Sequence, residues 1–265
     1  MGYEDIIFTK EHMVATIRFN RSKAMNSFSP RMMDEIFHAL EEVKNDPEAR
    51  VLVFASTGRS FSTGADVKAM AERNAEENAI QRRRALTSNS GPNLALTIRN
   101  LDKPVIASIN GFAVGGGLDL ALACDIRIAS DQAKFAEVFI RRGLIPALGG
   151  TFFLPRLVGL DKACELIWTG DMVDAAEALK LGLVTKVVPH DELEDATYDL
   201  ATKLSRGAPL AIQAAKRAIY DGLQMNLEET LHYVAEIDAK LSKTEDHKEG
   251  AKAFVEKREP HFMGK

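Results

Sequence analysis

Lys103-Pro-Val-Ile-Ala-Ser-Ile-Asn-Gly-Phe-Ala-Val-Gly-Gly-Gly-Leu-Asp-Leu-Ala-Leu-Ala-Cys-Asp125 is the stretch that decides the fold. Pro104 to Ile109 is a short, unbroken apolar run, the pattern of a strand covered on both faces. After Asn110 the chain enters a glycine-rich turn, Gly111 to Gly117, and then an apolar helical segment, Leu118 to Cys124. Val51 to Ala55 and Ile126 to Ala129 read as strands of the same kind, and helical segments separate them, so the class is α/β. At the N-terminus, Met13, Ala15, Ile17 and Phe19 alternate with Val14, Thr16 and Arg18, the spacing of a half-buried strand that forms a hairpin with Ile6 to Thr9. Ser29-Pro30 then supplies an N-cap and a first-turn proline to a helix with Met32, Met33, Ile36, Phe37, Leu40 and Val43 on one side. That helix ends near Asn45-Asp46-Pro47.

The glycine cluster fails the nucleotide fingerprints. A GxGxxG frame begun at Gly115 places Leu120 at the third glycine, and a P-loop begun at Gly111 places Gly117-Leu118 where Lys-Ser/Thr is required. None of the six histidines has HxxxH spacing, and no GxSxG elbow occurs. The cluster does supply backbone N–H groups at the start of a helix, uncrowded by side chains and carrying partial positive charge. A second such turn, Ser60-Phe-Ser-Thr-Gly-Ala-Asp66, follows the strand Val51 to Ala55. Donors from the two turns could converge on one oxygen that becomes negative during a reaction; each turn alone also reads as a tight packing turn.

Composition bounds the rest. The chain has 265 residues, which suits one large core with an appendage and needs no metal or disulfide staple. Its 46% hydrophobic and 27% charged residues exclude disordered and collagenous classes. A net charge of −4 lacks the basic excess of a nucleic-acid binder, so an anionic ligand must be held by local cations. Cys124 and Cys164, in apolar helical stretches, read as buried thiols of a reducing compartment. Glu4 and Asp5 lie where a signal peptide would be basic, and the longest uncharged run, Pro104 to Leu118, is too short to span a bilayer, so a cytoplasmic protein without membrane contact is expected. The polar segment Lys68 to Arg84, with Arg82, Arg83 and Arg84 in a row, reads as a solvated helix or an anion site. Beyond about residue 200 three helical patterns follow, Pro209 to Tyr220, Asn226 to Leu241 and Thr244 to Arg258. The expected division is residues 1–200 as core and 201–265 as a helical region that packs on the core or joins subunits.

The chain resembles the crotonase, or enoyl-CoA hydratase/isomerase, superfamily. The resembling segments are Arg21-Ser-Lys-Ala-Met-Asn26, Ser60 to Lys68 and Lys103 to Asp125. Further ones are Arg142-Gly-Leu-Ile-Pro146, Gly149-Gly-Thr151, Leu154-Pro-Arg-Leu-Val-Gly159 and Ala176 to Val184. The resemblance implies a spiral of ββα units with a C-terminal helical trimerisation region, assembled as a homotrimer or a dimer of trimers. It implies an acyl-coenzyme A thioester as substrate, with no separate cofactor and no metal. The thioester enolate would be held by the amides of Ala65 and Gly116. Lys23, Ala24, Met25, Ala65, Asp66, Val67 and Lys68 match the coenzyme A-binding segments, and Phe254 and Lys257 match positions near the adenine and phosphates.

The resemblance breaks at the acid–base groups. Asp119 stands where hydratases carry one glutamate. Phe139 stands at the second glutamate, and Ala147 at the acid position of some isomerases. Glu137 is the nearest replacement: were Phe135 to Phe139 extended, residues 135, 137 and 139 would share a face. Its other reading is a surface or helix-dipole carboxylate. The expectation is therefore an enoyl-CoA hydratase with Asp119 and Glu137 as candidate catalytic groups. An isomerase or another one-carboxylate member is the alternative, and a weakly catalytic acyl-CoA-binding or scaffold protein is a third.

Overall fold

A computed structural model describes residues 2–66 and 93–265. Strands β1 (Ile6–Glu11) and β2 (Val14–Phe19) form the opening antiparallel hairpin, with His12 and Met13 at positive φ in the turn. Helix α1 (Pro30–Asn45) follows. Ser29 caps it by accepting from the Met32 amide, and Ser29 in turn donates to Asp5 at 2.6 Å. Met32, Ile36, Ala39, Leu40 and Val43 are buried along one stripe of α1. Each of its large aliphatic side chains contributes roughly 1.5–3 kcal/mol by leaving water.

The chain then climbs in turns. Strand β3 (Val51–Ser56) is followed after a short bend by β4 (Ser60–Ser62). Helix α2 (Leu94–Arg99) leads into β5 (Val105–Ile109), β6 (Phe112–Val114) and helix α3 (Gly116–Ala123). The next turn is β7 (Ile126–Ser130), β8 (Lys134–Ala136), a 3-10 turn Val138–Arg142, and helices α4 (Gly150–Val158) and α5 (Leu160–Thr169). Strand β9 (Val173–Asp174), helix α6 (Ala175–Lys180) and β10 (Lys186–Val188) close the series. Each turn gives one strand to a six-stranded sheet, in the order β1-β2-β3-β5-β7-β10, and one to a four-stranded sheet, β4-β6-β8-β9. This alternation is the expected ββα spiral.

Helix α7 (Leu193–Ser205) lies on the far face of the larger sheet, where Leu193 and Ala201 pack with Val14, Val51, Val53, Ile106 and Ile128. The opposite face joins Ala15, Ile17, Phe19, Leu52 and Phe54 to α1 and α3. Strand β2 is therefore not half-buried: its alternation sorts side chains between two cores, and Thr16 sits on the α7 side bonded to Tyr198 at 2.8 Å. Helices α8 (Pro209–Gly222), α9 (Leu227–Leu241) and α10 (Glu245–Glu256) complete the chain. Asp125, read as a structural turn residue, fastens α8 to the core by accepting from the Val105 amide, Lys216 and Tyr220. Cys124 is buried as expected; Cys164 is only half-buried, because α5 packs chiefly through Ala163 and Leu166. Among the described residues no helix is long and apolar enough to cross a membrane.

Candidate active site

Both glycine turns leave the carboxyl ends of neighbouring parallel strands, β3 and β5, and so meet. Gly64 has φ +76°, and a Cβ there would stand 2.5 Å from the Gly116 nitrogen. Only glycine allows both that conformation and that approach. Phe28 locks the arrangement: its amide donates to the Gly64 carbonyl at 2.7 Å, it bridges to Ala65, and its ring lies 3.5 Å from where a Gly116 Cβ would be. Ala65 is exposed, and Gly116 opens α3. Among the described residues neither amide has a hydrogen-bond acceptor. Two such N–H groups suit an anionic oxygen.

The segment before Phe28 is tied to the same place. Asn26 is fully buried; its side chain accepts from the Arg21 amide at 2.8 Å and donates to the carbonyls of Thr57 and Ser60 at 2.8 and 2.7 Å. Ser62 Oγ donates to the Asn26 carbonyl, and the Thr63 amide to the Met25 carbonyl. Lys23 and Ala24 lie on a 3-10 turn, Ser22–Ala24, with Lys23 exposed and Met25 in the left-handed region. Arg21 reaches Asp66 at 3.7 Å and Asp5 at 3.6 Å. Lys23, Ala24, Met25, Ala65 and Asp66 thus cluster beside the paired turns. Val67, Lys68 and the run Arg82 to Arg84 lie outside the described residues. Asn26 carries this juxtaposition, and the sequence reading gave it no part; its only signal was its place at the end of a matching segment.

Phe254 is 86% exposed on α10, and Lys257 caps that helix in the left-handed conformation. The tail beyond them is fastened at Arg50, which donates to the Phe262 carbonyl at 2.8 Å. Arg50 precedes β3, whereas the Ser60–Asp66 turn follows it, and among the described residues no hydrogen bond joins the tail to the turns. A cavity of about 1380 Å³ lies by this tail, lined by Met13, Arg50, Tyr198 and Phe262. It is remote from the paired turns.

Asp119 lies in the first turn of α3, three residues after Gly116, and is 0% exposed. Its Oδ2 accepts from the Leu148 amide at 3.1 Å. The Leu148 side chain reaches to 3.3 Å from the Gly116 Cβ position, so one residue touches both the carboxyl and the amide turn. Glu137 is 1% exposed and faces Asp119. A point at the Gly150 Cβ position is 2.2 Å from Asp119 Oδ1 and 2.8 Å from Glu137 Oε1, so both carboxyls press on that glycine's backbone. Apart from each other, Asp119 Oδ1 and both Glu137 oxygens have no side-chain hydrogen-bond partner among the described residues. Burial raises Glu137 strongly, with the charge of Asp119 and a hydrogen bond to it adding to the rise. Burial also raises Asp119, opposed by the Leu148 amide, the Glu137 carboxyl and the Gly150 amide.

Glu137 arrives there by a route the sequence reading missed. The extended run ends at Ala136; Glu137 immediately precedes the 3-10 turn, and Phe139 lies within it. The shared face expected of residues 135, 137 and 139 does not form, and Glu137 is neither a surface nor a helix-dipole group. The Phe139 ring stands 3.7 Å from the Gly115 Cβ position, and Ala147 is exposed. No group of three or more His, Cys, Asp or Glu able to hold a metal occurs among the described residues.

Residues 9–265 match the family model described as enoyl-CoA hydratase/isomerase. The chain belongs to the enoyl-CoA hydratase/isomerase family. It is 38% identical to the short-chain-enoyl-CoA hydratase of Clostridium acetobutylicum, over 97% of each chain. It is 40% identical to the (E)-benzylidenesuccinyl-CoA hydratase of Thauera aromatica, covering 95% of this chain and 96% of that one. The crystal structure of the enoyl-CoA hydratase from Bacillus anthracis superposes with a TM-score of 0.90 at 36% identity, covering 99% of this chain and 100% of that one. The spiral is the crotonase fold, shared across the family.

Proposed function

We propose that this family member binds an acyl-coenzyme A thioester, stabilises its enolate between the Ala65 and Gly116 amides, and hydrates a 2-enoyl-CoA with Asp119 as acid and base. The observation that carries the reading is a fully buried carboxyl on the helix whose first amide faces the second turn, with one oxygen lacking a partner. Ionised Asp119 takes a proton from water as the water oxygen bonds to C3. The π electrons move onto the thioester oxygen, held by the two amides. Asp119 then returns the proton to C2, restoring the thioester and its own charge. An oxyanion donor is worth about 10²–10³ in rate, and a general acid–base group about 10²–10⁴.

One carboxylate also suffices for double-bond migration, since it can take a proton from one carbon and return it to another. Phe139 favours this second reading, because an apolar ring, 3.7 Å from the Gly115 Cβ position, stands where the family resemblance places the second glutamate. A spectrophotometric assay separates the readings. Loss of the conjugated-thioester absorbance of a short 2-enoyl-CoA supports hydration; its appearance from a 3-enoyl-CoA supports isomerisation. Coenzyme A binding without either supports a binding or scaffold protein. A panel of short, medium and aromatic acyl groups defines the substrate.

Lys23, Ala24, Met25, Asp66, Val67 and Lys68 would flank the coenzyme A, with Phe254 and Lys257 serving the nucleotide end in a neighbouring subunit. Residues 1–200 would form the catalytic core and 201–265 the assembly region of a homotrimer or dimer of trimers. Exposed Ile219 on α8, Leu223 just after it, and Leu227 and Leu231 on α9 support that assembly. A cytoplasmic location accords with the composition and the unpaired thiols.

A further inference from the structure

We propose that Glu137 is held as a neutral carboxylic acid whose proton is donated to Asp119 Oδ1, so that the pair carries one proton and Asp119 stays ionised as the reactive member. The inference rests on the reading of Asp119 as acid and base, and makes Glu137 its positioning residue. Among the described residues, three buried carboxyl oxygens of this pair accept no well-formed hydrogen bond. Two ionised carboxylates so placed would repel in a medium that screens little, and each would be desolvated. One retained proton removes the repulsion and supplies the missing donor.

The surroundings offer no competing counter-charge among the described residues. On β8, Lys134 is exposed. On the 3-10 turn, Arg142 is exposed and Arg141 pairs with Asp171 at 2.8 Å. On α4, Arg156 lies over the Phe152 ring at 3.7 Å. Asp171 lines a cavity of about 10 Å³ beside Glu137, otherwise walled by apolar side chains such as Leu118, Leu154 and Leu183. Asp171 is exposed and already paired with Arg141, so it neither adds a cation to that side nor bonds Glu137. The pocket thus selects a proton instead of a cation, and the donor direction orients Asp119 opposite its Leu148 bond.

The test compares Glu137→Gln and Glu137→Leu with wild type. In the free protein at pH 8, the infrared difference spectrum of wild type minus Glu137→Gln should contain the carbonyl stretch of one neutral carboxylic acid. In turnover, Glu137→Gln keeps a donor to Asp119, so the acid limb of its kcat/KM profile should stay within about half a pH unit of wild type. Glu137→Leu strands Asp119 Oδ1 in apolar surroundings, so its acid limb should move up by at least one unit. Activity on the acid side then falls about tenfold and recovers at higher pH, which a packing defect would not do. Superimposable profiles for wild type and Glu137→Leu, or no neutral-acid band at pH 8, would overturn the proposal. The infrared result stands without turnover, so it separates failure of this inference from failure of the enzymatic reading.

Discussion

At the scale of residues, Asp119 and Glu137 are chemically alike and differ in what touches them. Asp119 has the Leu148 amide on one oxygen; Glu137 has Asp119 and, apart from Asp171, apolar walls among the described residues. Replacing Asp119 by Asn removes the base while keeping the shape, so kcat should fall by about 10²-fold or more with KM nearly unchanged, as steady-state kinetics would show. Near-wild-type turnover would remove Asp119 from the reaction. Glu137 also links stability to pH. Its folded-state pKa, raised to about 10, lies far above its unfolded value, so its neutral burial is fully tolerated below about pH 4.5 and the favourable margin is lost as pH rises toward 10. Glu137→Gln removes that loss, so thermal denaturation should place its midpoint above wild type by about 5 °C at pH 9, with the gap closing near pH 5. A gap that is constant with pH would count against burial of a neutral acid. Asp119 was legible from its spacing to the glycine triplet. Glu137 was named as the nearest replacement, but its burial was not legible, because that depends on where β8 stops, and no residue type between Phe135 and Phe139 marks that point.

At the scale of elements, the site is a junction of three loops, and Asn26 is the rivet. Its side chain satisfies two carbonyls of the β3–β4 bend and one amide of the segment bearing Lys23. Asn26→Ala leaves the Thr57 and Ser60 carbonyls buried without those donors, which costs about 2–4 kcal/mol. Urea denaturation should register that loss, and kinetics should show KM for the acyl-CoA rising more than kcat falls. An unchanged KM would separate the Lys23–Met25 turn from ligand binding. Much at this scale was readable beforehand. Ser29-Pro30 set the start of α1, and the unbroken apolar runs gave β3, β5 and β7, because local capping and burial periodicity act within a few residues. The two-sided burial of β2 was not readable, since it requires α7, about 175 residues away in sequence, to cover the second face.

At the scale of the molecule, the last helices present large apolar side chains to solvent. Leu227 is 75% and Leu231 60% exposed, on a helix that is otherwise well capped by Asn226 and Glu229. If they join subunits, the double change Leu227→Glu and Leu231→Glu should convert a trimer or hexamer to monomer in light scattering, because unpaired charges cannot be buried at an apolar interface. Unchanged mass would move the assembly surface elsewhere. Loss of coenzyme A affinity in the monomer would further place Phe254 and Lys257 at a neighbour's ligand.

By itself the sequence determined the class of fold, the two amide turns and one carboxyl of the site, because each rests on local patterns: apolar runs, glycines that admit close backbone approach, and a residue three places into a helix. Glu137 stood in the sequence as a candidate, and only the tertiary structure decided that it is buried against Asp119. Its position depends on a strand ending one residue before it, on Gly150 lying against both acids, and on the lack, among the described residues, of another side-chain donor to Glu137. Those are properties of packing between segments distant in the chain, and no local pattern records them.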